Sequence, residues 1–291
     1  MSTDAPPEAQ PGPSATPPRA RPRRWIMPTV VLGWALLLVV LACVSVRRDA
    51  PTVREQRDLG AAATVADRAL GALVAAAGPD PLVELGTPRL DRGCRLSVAR
   101  DGASLARTVT FRAGAEDAAE LLDRISDGLP AAYRAGTRPL PAGPGPRLRA
   151  DAGEFVAITG GVTAPGRIEL TVATGCRPDA SAVDLGPAPV AAARSSARGE
   201  LDRVFDALGL AAPADPDWSS ATCPAGGAAY TARTAGPGTP TGGLAAGLRS
   251  LAGAGPVLVD TPQSYGYRAG PLGVLVETVD GETRVAVSHG C

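Results

Sequence analysis

The segment Arg167-Ile-Glu-Leu-Thr-Val-Ala-Thr-Gly-Cys176 decides the fold of this chain. Its apolar residues alternate with polar ones, and this period of two predicts a β-strand with one buried face. Counting on by twos places Cys176 on the buried face. A second segment, Thr283-Arg-Val-Ala-Val-Ser-His-Gly-Cys291, has the same alternation and also ends in Gly-Cys. Two similar strands that end in a cysteine favour an internal duplication, with a single mixed domain whose two disulfides happen to repeat as the alternative.

Four cysteines lie in the region that contains these strands, namely Cys94, Cys176, Cys223 and Cys291. An even number in an exported segment implies disulfide bonds, and four cysteines allow three connectivities. Cys94 begins a predicted strand and Cys176 ends one, and these positions are adjacent in an antiparallel pair. We therefore expect the bonds Cys94–Cys176 and Cys223–Cys291. A metal site is not expected, because the sequence contains no Cys-x-x-Cys motif.

Apolar residues recur at helical spacing in four places, which predicts helices over 59–77, 118–129, 201–208 and 244–251. Strands bounded by the turns Asp101-Gly102 and Asp280-Gly281 supply the sheets that these helices cover. The predicted fold class is α+β. It comprises an N-terminal transmembrane helix followed by two similar disulfide-stapled modules, each with helices packed on an antiparallel sheet.

The Pro- and Gly-rich stretch around Gly186-Pro-Ala-Pro189 is typical of a linker. It divides the outer region into module 1 over residues 49–178, a linker over 179–194 and module 2 over 195–291. A second irregular stretch, Pro139–Pro146, is interpreted as a surface loop inside module 1. Each module has the size of an ordinary domain.

The uncharged run Trp25–Val46 has 22 residues, which as a helix would measure about 33 Å, enough to cross a bilayer. Four arginines precede this run and two follow it, and basic residues stay preferentially in the cytoplasm. We therefore expect residues 25–46 to form a single transmembrane helix with the N-terminus in the cytoplasm. The Pro-rich residues 1–24, with seven prolines, are expected to be a disordered cytoplasmic tail.

The same run has two further interpretations. Val39-Val-Leu-Ala-Cys43 resembles the lipobox of bacterial lipoproteins, so Cys43 is a candidate lipidation site that would anchor the same outer modules. A cleaved secretory signal is the other alternative. Against both, the region before the apolar run is long for a signal peptide, and apolar residues continue past Cys43.

The net charge of zero hides an asymmetry. Residues 1–48 contain six arginines against Asp4 and Glu8, a net charge of +4, whereas the rest has 23 arginines against 27 carboxylates, a net charge of −4. Nucleic acid is not an expected partner of this mildly acidic region, because phosphate backbones need a clustered basic surface.

The chain contains neither lysine nor asparagine. Without lysine there is no Walker P-loop, no pyridoxal Schiff base and no Ser-x-x-Lys acylation site. In layout and composition the chain resembles single-pass envelope proteins of high-GC actinobacteria. That resemblance implies residence in the cell membrane, with the bulk of the chain outside the cytoplasm.

We do not expect an enzyme, a cofactor or a metal site. His289 is the only histidine, and its parity places it on a covered strand face. The carboxylate pairs Glu116 with Glu120 and Asp123 with Asp127 lie opposite the apolar stripe of their helix. A membrane-tethered hydrolase that uses carboxylates remains an alternative.

Tyr265-Gly-Tyr267 is the tightest aromatic cluster of the sequence, and tyrosine is enriched at recognition surfaces. Tyr265, Tyr267 and Arg268 are therefore the candidate binding surface, with cross-strand packing as the alternative. The expected function is that of a membrane-anchored binding or structural component of the cell envelope. Its expected partners are the lipid bilayer and an envelope protein or small-molecule ligand.

Overall fold

The computed structural model describes residues 26–48, 58–140, 143–180, 182–211 and 215–291. The chain divides into two compact units, Met1–Thr52 and Val53–Cys291. The predicted tail, residues 1–24, lies outside the described residues. The described residues of the second unit form an α+β fold with two antiparallel sheets, four α-helices, a short 3₁₀ helix at Ala131–Tyr133 and two disulfide bonds.

The described part of the first unit is the helix α1, Ile26–Arg48. Its 23 residues correspond to about 35 Å of helix. The side chains over 28–44 are all exposed, and they include Trp34 and a series of leucines and valines. The predicted apolar helix is thus present, with bounds that differ by one or two residues from the expected ones.

The first sheet has seven strands, with the order β1-β3-β7-β6-β5-β4, and β2 pairs with the first half of β3. Its strands are β1 Leu82–Leu85, β2 Arg89–Ser97, β3 Arg100–Arg112, β4 Gly136–Arg138, β5 Arg147–Asp151, β6 Ala157–Ala164 and β7 Arg167–Ala173. The helices α2, Leu59–Ala77, and α3, Ala118–Gly128, pack on one face of this sheet, where a common apolar core forms.

The second sheet has six strands in the order β10-β11-β12-β13-β9-β8. These are β8 Asp217–Thr222, β9 Ala228–Pro237, β10 Val257–Asp260, β11 Ser264–Ala269, β12 Leu272–Val279 and β13 Glu282–His289. The helices α4, Ala191–Leu208, and α5, Leu244–Ala252, cover one face of it and build a second core.

The two sheets share one strand order when β1 is set aside. The first then runs β2-β3-β7-β6-β5-β4, and the second runs β8-β9-β13-β12-β11-β10. The succession along the chain also agrees, because each sheet is built from a helix, two strands, a helix and four strands.

The disulfide bonds join Cys94 to Cys176 and Cys223 to Cys291, which are the pairs that strand parity indicated. Their places in the two sheets correspond. Cys94 lies in β2 and Cys176 follows β7, while Cys223 follows β8 and Cys291 follows β13. Each bond therefore links an edge strand of its sheet, β2 or β8, to the strand of that sheet that comes last along the chain, β7 or β13.

We call the elements from α2 to β7 the first half of the unit and those from α4 to β13 the second half. The face of the second sheet that α4 and α5 leave free is covered by β1 and α2 of the first half. Leu82 lies against two glycines of this face, since an added Cβ on Gly266 would come within 2.7 Å of the Leu82 side chain, and one on Gly273 within 3.1 Å. The backbone N–H of Leu85 donates a 2.9 Å hydrogen bond to Oγ1 of Thr231. The two halves consequently belong to one compact unit.

A buried ion pair lies where α2 meets both sheets. Nη1 of Arg107, on β3, is 2.7 Å from Oδ1 of Asp67 on α2, and the Arg107 side chain is fully buried. The same guanidinium donates to the carbonyl oxygen of Ser220 on β8, and Oδ2 of Asp67 accepts from the N–H of Thr222 at 3.2 Å. Gly71, one helical turn further along α2, leaves room for this approach because an added Cβ would lie 1.8 Å from the Thr222 carbonyl oxygen.

Among the described residues, one helix meets the length and hydropathy criteria for a membrane span, and it is α2. Of its 18-residue apolar window, 61 % is buried inside the unit, as a helix held between two sheets must be. The apolar stretch of α1 with described side chains, Pro28–Val44, is shorter than that criterion.

Two sequence predictions about turns had different outcomes. Asp280-Gly281 is a hairpin turn with positive φ at both residues, the backbone that such a two-residue turn requires. Asp101-Gly102 was wrong as a turn, because both residues lie inside β3 and the chain reverses at Val98-Ala99. The β3 strand starts earlier than its apolar pattern does, since its first residues pair with the exposed strand β2.

The predicted linker, residues 179–194, contains the first residues of α4, and its earlier part packs on the first half. Ala180 and Val183 contact the small apolar cluster of Leu59 and Leu105. The carbonyl of Pro187 accepts a hydrogen bond from the Ser220 hydroxyl. These contacts attach parts of the segment to the unit, while Leu185 and Val190 are exposed.

An arginine-lined cleft at the edge of the first sheet

A cleft lies at the free edge of the first sheet, where β4 pairs with β5. It has a volume of about 580 Å³. The residues that line it include Arg134, Thr137, Arg138, Leu140, Arg147 and Arg149. Four of these six residues are arginines, so the cleft concentrates positive charge in a region of the chain that is acidic as a whole.

Strand parity explains why the arginines share one face. Arg147 and Arg149 alternate with Leu148, whose side chain is fully buried under the helices, so both arginines point to the opposite side. Arg138 lies directly across from Arg147 in the antiparallel pair and therefore points to the same side. Thr137 points toward α3 instead, where its hydroxyl donates a 2.7 Å hydrogen bond to Oδ1 of Asp123 and fastens β4 to the helix.

Only one of the four arginines has a carboxylate partner among the described residues. Nη2 of Arg134 is 3.0 Å from Oδ2 of Asp151. Arg138, Arg147 and Arg149 are exposed and form no ion pair within the part of the chain that the structure describes. Like charges directly opposite each other on a sheet are destabilising, so the Arg138 and Arg147 pair favours a bound anion.

The neighbouring strand β6 leaves two of the three guanidinium groups, those of Arg147 and Arg149, accessible. Arg147 lies across from Gly161 on β6, and Arg149 lies across from Thr159. Both neighbours are small, and neither has a negative charge. One strand further, Glu169 is 3.5 Å from Arg167 in an ion pair of its own. The described neighbours on β6 and β7 therefore do not neutralise the charges of Arg147 and Arg149.

This arrangement is suited to binding and not to acid–base or nucleophilic chemistry. Guanidinium groups donate two parallel hydrogen bonds to a carboxylate or phosphate. The residues that line the cleft include no His, Cys, Asp or Glu, which are the usual acids, bases and nucleophiles. Within the described residues, no group of three or more His, Cys, Asp or Glu side chains is placed to hold a metal ion.

The binding surface proposed from the aromatic cluster is not exposed. Tyr265 and Tyr267 are 2 % and 0 % exposed, and both face α4 and α5 in the second core. The Tyr267 hydroxyl donates a 3.2 Å hydrogen bond to Oε1 of the buried Glu200, and burial raises the pKa of this tyrosine far above its usual value. Because β11 is covered by helices, its tyrosines form the cross-strand packing that the sequence left as the alternative.

Arg268 points to the other face of β11 and is half-buried between the two halves. Its guanidinium donates to the carbonyl oxygens of Pro81, at 3.4 Å, and of Pro271, at 3.2 Å. It is thus a part of the contact between the halves and does not line the arginine cleft.

The remaining candidates occupy separate places. Cys43 is an exposed free cysteine in α1. His289 is half-buried and stacks on Tyr230, with 5.5 Å between ring centroids. The carboxylates of α3 are exposed, and Glu120 is 3.5 Å from Arg124 in an ordinary surface ion pair.

Sequence reasoning missed the arginine cleft. The local signal was available in Arg147-Leu-Arg149, which is a strand pattern with two charges on one side of a buried leucine. The third arginine, Arg138, was not identifiable in this way, because its position across from Arg147 depends on a pairing that spans Pro139–Pro146.

No protein-family model matches this chain, and no curated protein matches its sequence.

Proposed function

We propose that this chain is a membrane-anchored protein whose two-sheet unit is displayed outside the cytoplasm and binds an anionic ligand in the arginine cleft. The observation that carries the binding function is the group of three arginines on one face of the sheet that have no carboxylate partner among the described residues. A surface of this kind is stable when a counter-charge occupies it. In the cell envelope the protein acts as a binding component and not as an enzyme.

The location outside the cytoplasm is supported by the two disulfide bonds. Such bonds form and persist in oxidising compartments and are rare in the cytosol. The coarser conclusion, an extracytoplasmic or secreted fold, follows from them alone. Membrane anchoring is the finer proposal, and it is supported by the apolar and exposed surface of α1 and by the arginines on both sides of its apolar run.

We further infer that the two halves arose by duplication of one disulfide-stapled module. The shared strand order, the shared succession of elements and the corresponding disulfide positions support this origin. The halves differ in what covers the sheet face away from the helices. In the second sheet it is covered by β1 and α2, whereas in the first sheet it bears the arginines. The duplication therefore left one copy of this face free to bind.

The location is tested by the intact mass of the protein extracted from membranes, before and after reduction and alkylation. A full-length mass with four cysteines protected until reduction is the expected result. A mass that begins at Cys43 and carries a diacylglyceryl group would replace the transmembrane helix by a lipid anchor, with the same outer unit. Four cysteines that are alkylated without reduction would contradict the extracytoplasmic location.

The binding function is tested separately on the purified full-length chain in a neutral detergent. A panel of anions that includes tripolyphosphate, citrate and heparin is titrated by calorimetry at low salt. The proposal expects at least one of them to bind, with an affinity that falls as salt is added. Equal and negligible heats for all of them would contradict an anion-binding function.

A further inference from the structure

We infer that the ligand class of the arginine cleft is a phosphate-bearing polyanion, an inference that rests on the anion-binding function proposed above. The shared chemistry is the phosphate group, which both a soluble phosphate compound and an anionic lipid headgroup can present. The groups that would bind the phosphate are the guanidinium groups of Arg138, Arg147 and Arg149.

The spacing of the three arginines suits a group with several acceptor oxygens. Directly opposite residues of an antiparallel pair have Cβ atoms about 5 Å apart, which applies to Arg138 and Arg147. Arg149 is two residues along the same strand, about 7 Å away. Arginine side chains are long enough to bring guanidinium groups at these spacings onto one ligand. A carboxylate has two oxygens, which one guanidinium occupies, whereas a phosphate has oxygens for two or three of them.

The charge of the cleft points in the same direction. The nearby carboxylates are already engaged, since Asp151 pairs with Arg134, Glu169 pairs with Arg167, and Asp123 accepts from Thr137. Three positive charges therefore remain, and a ligand with two or more negative charges balances them best. Because the chain has no lysine, the number and spacing of the charges indicate the ligand class, and the choice of arginine does not.

The second half of the unit provides an internal comparison. Its corresponding edge hairpin is β10 with β11, and the outward face of β11 contributes Gly266 and Arg268. Gly266 is covered by Leu82, and Arg268 donates to carbonyl oxygens of its own chain. The same position in the fold thus forms an internal contact in one half and an open cationic cleft in the other.

The test uses the full-length chain in neutral detergent and isothermal titration with tripolyphosphate. The variant R138Q/R147Q/R149Q removes the three charges. The control R95Q/R194Q/R249Q removes three exposed arginines that have no ion pair among the described residues and lie outside the cleft. Far-UV circular dichroism and protection of the cysteines from alkylation establish that both variants are folded. The single variant R147Q gives a second, milder perturbation.

The expected result is binding of tripolyphosphate by the wild type and the control, with an affinity at least about tenfold lower for R138Q/R147Q/R149Q. Citrate, which carries carboxylates at a similar charge, is expected to bind more weakly than tripolyphosphate. Micelles doped with phosphatidylglycerol distinguish the source of the phosphate. If they compete with tripolyphosphate, the headgroup of a lipid is an accepted source, and if they do not, a soluble phosphate compound is.

Two results would overturn the inference in distinguishable ways. If citrate or heparin binds through the same arginines and tripolyphosphate does not, the phosphate assignment is wrong and the anion-binding function stands. If the cleft variant and the control lose the same affinity, the cleft is not the site, and the function proposed for it fails with the inference.

Discussion

Asp67→Asn would remove the negative charge beside the fully buried guanidinium of Arg107 while it preserves the size of the side chain. Breaking a buried ion pair by neutralising one partner destabilises a protein by about 3–5 kcal/mol, because the remaining charge is left in a poorly solvated place. The amide oxygen of asparagine can still accept from the N–H of Thr222, so the backbone contact with β8 is retained. We therefore expect about 3 kcal/mol, the lower end of that range.

The measurement is urea unfolding of the full-length chain in neutral detergent, with disulfides intact, followed by far-UV circular dichroism. With a slope of about 2 kcal/mol per molar urea, the midpoint should fall by about 1.5 M. Glu120→Gln, which breaks an exposed ion pair with Arg124, serves as the control and should change stability by less than about 0.5 kcal/mol.

The double variant D67L/R107M separates lost charge balance from lost packing. Replacing both members of a buried pair by apolar residues is often neutral or stabilising by about 1–4 kcal/mol, although the Ser220 carbonyl and the Thr222 N–H lose their partners here. We expect the double variant to be more stable than D67N. The reasoning is refuted if D67N and the Glu120→Gln control shift the midpoint equally, or if the double variant is the least stable of all.

Three further outcomes are expected. Gly71→Ala should destabilise the unit by about 1–3 kcal/mol, since its Cβ would clash with the carbonyl oxygen of Thr222. Gly199→Ala, in an open helical position of α4, should instead stabilise it by up to about 1 kcal/mol. Thermal unfolding of the two variants checks both values. Tyr267→Phe should cost about 1–2 kcal/mol below pH 10, because it leaves Oε1 of the buried Glu200 without its donor while Oε2 keeps its ion pair with Arg203. Burial raises the pKa of Tyr267, so the folded state keeps the phenolic proton at a pH where the unfolded state has lost it. The free energy of unfolding should therefore fall above about pH 10. In the Phe variant the contribution of this tyrosine to the fall should be absent. Reduction of the two disulfide loops, with sequence separations of 82 and 68, should lower stability by about 4 kcal/mol each in the chain-entropy model, as a shift of the urea midpoint in dithiothreitol reports.

The places of the helices were predictable from the sequence because their signals are local, although α4 begins at Ala191, ahead of the apolar stripe that starts at Leu201. The apolar stripe over Leu59–Ala77 and the glycine that follows it give the bounds of α2, and the structure has the same residues. The cysteine pairing was predictable for a similar reason, since strand parity and the positions of strand ends are both encoded within a few residues of each cysteine.

Pairings between distant segments were not predictable in this way. The tyrosines of β11 have the same pattern in an exposed strand and in one covered by α4 and α5, so the sequence alone left both alternatives open. The arginine cleft depends on Arg138 and Arg147 being opposite each other, which is a property of the sheet and not of either segment. The role of β1 has the same origin, because its four residues give no indication that they contact two sheets.

β1 also couples the unfolding of the two halves. Since it hydrogen-bonds to β3 and at the same time covers the glycines of β11 and β12, neither sheet can open without uncovering the other. Calorimetry of the unit should therefore record one cooperative transition instead of two. Either half expressed alone would expose a glycine-lined apolar strip or an unpaired strand. An exchange of halves between related chains would therefore have to transfer β1 together with the sheet face that it covers.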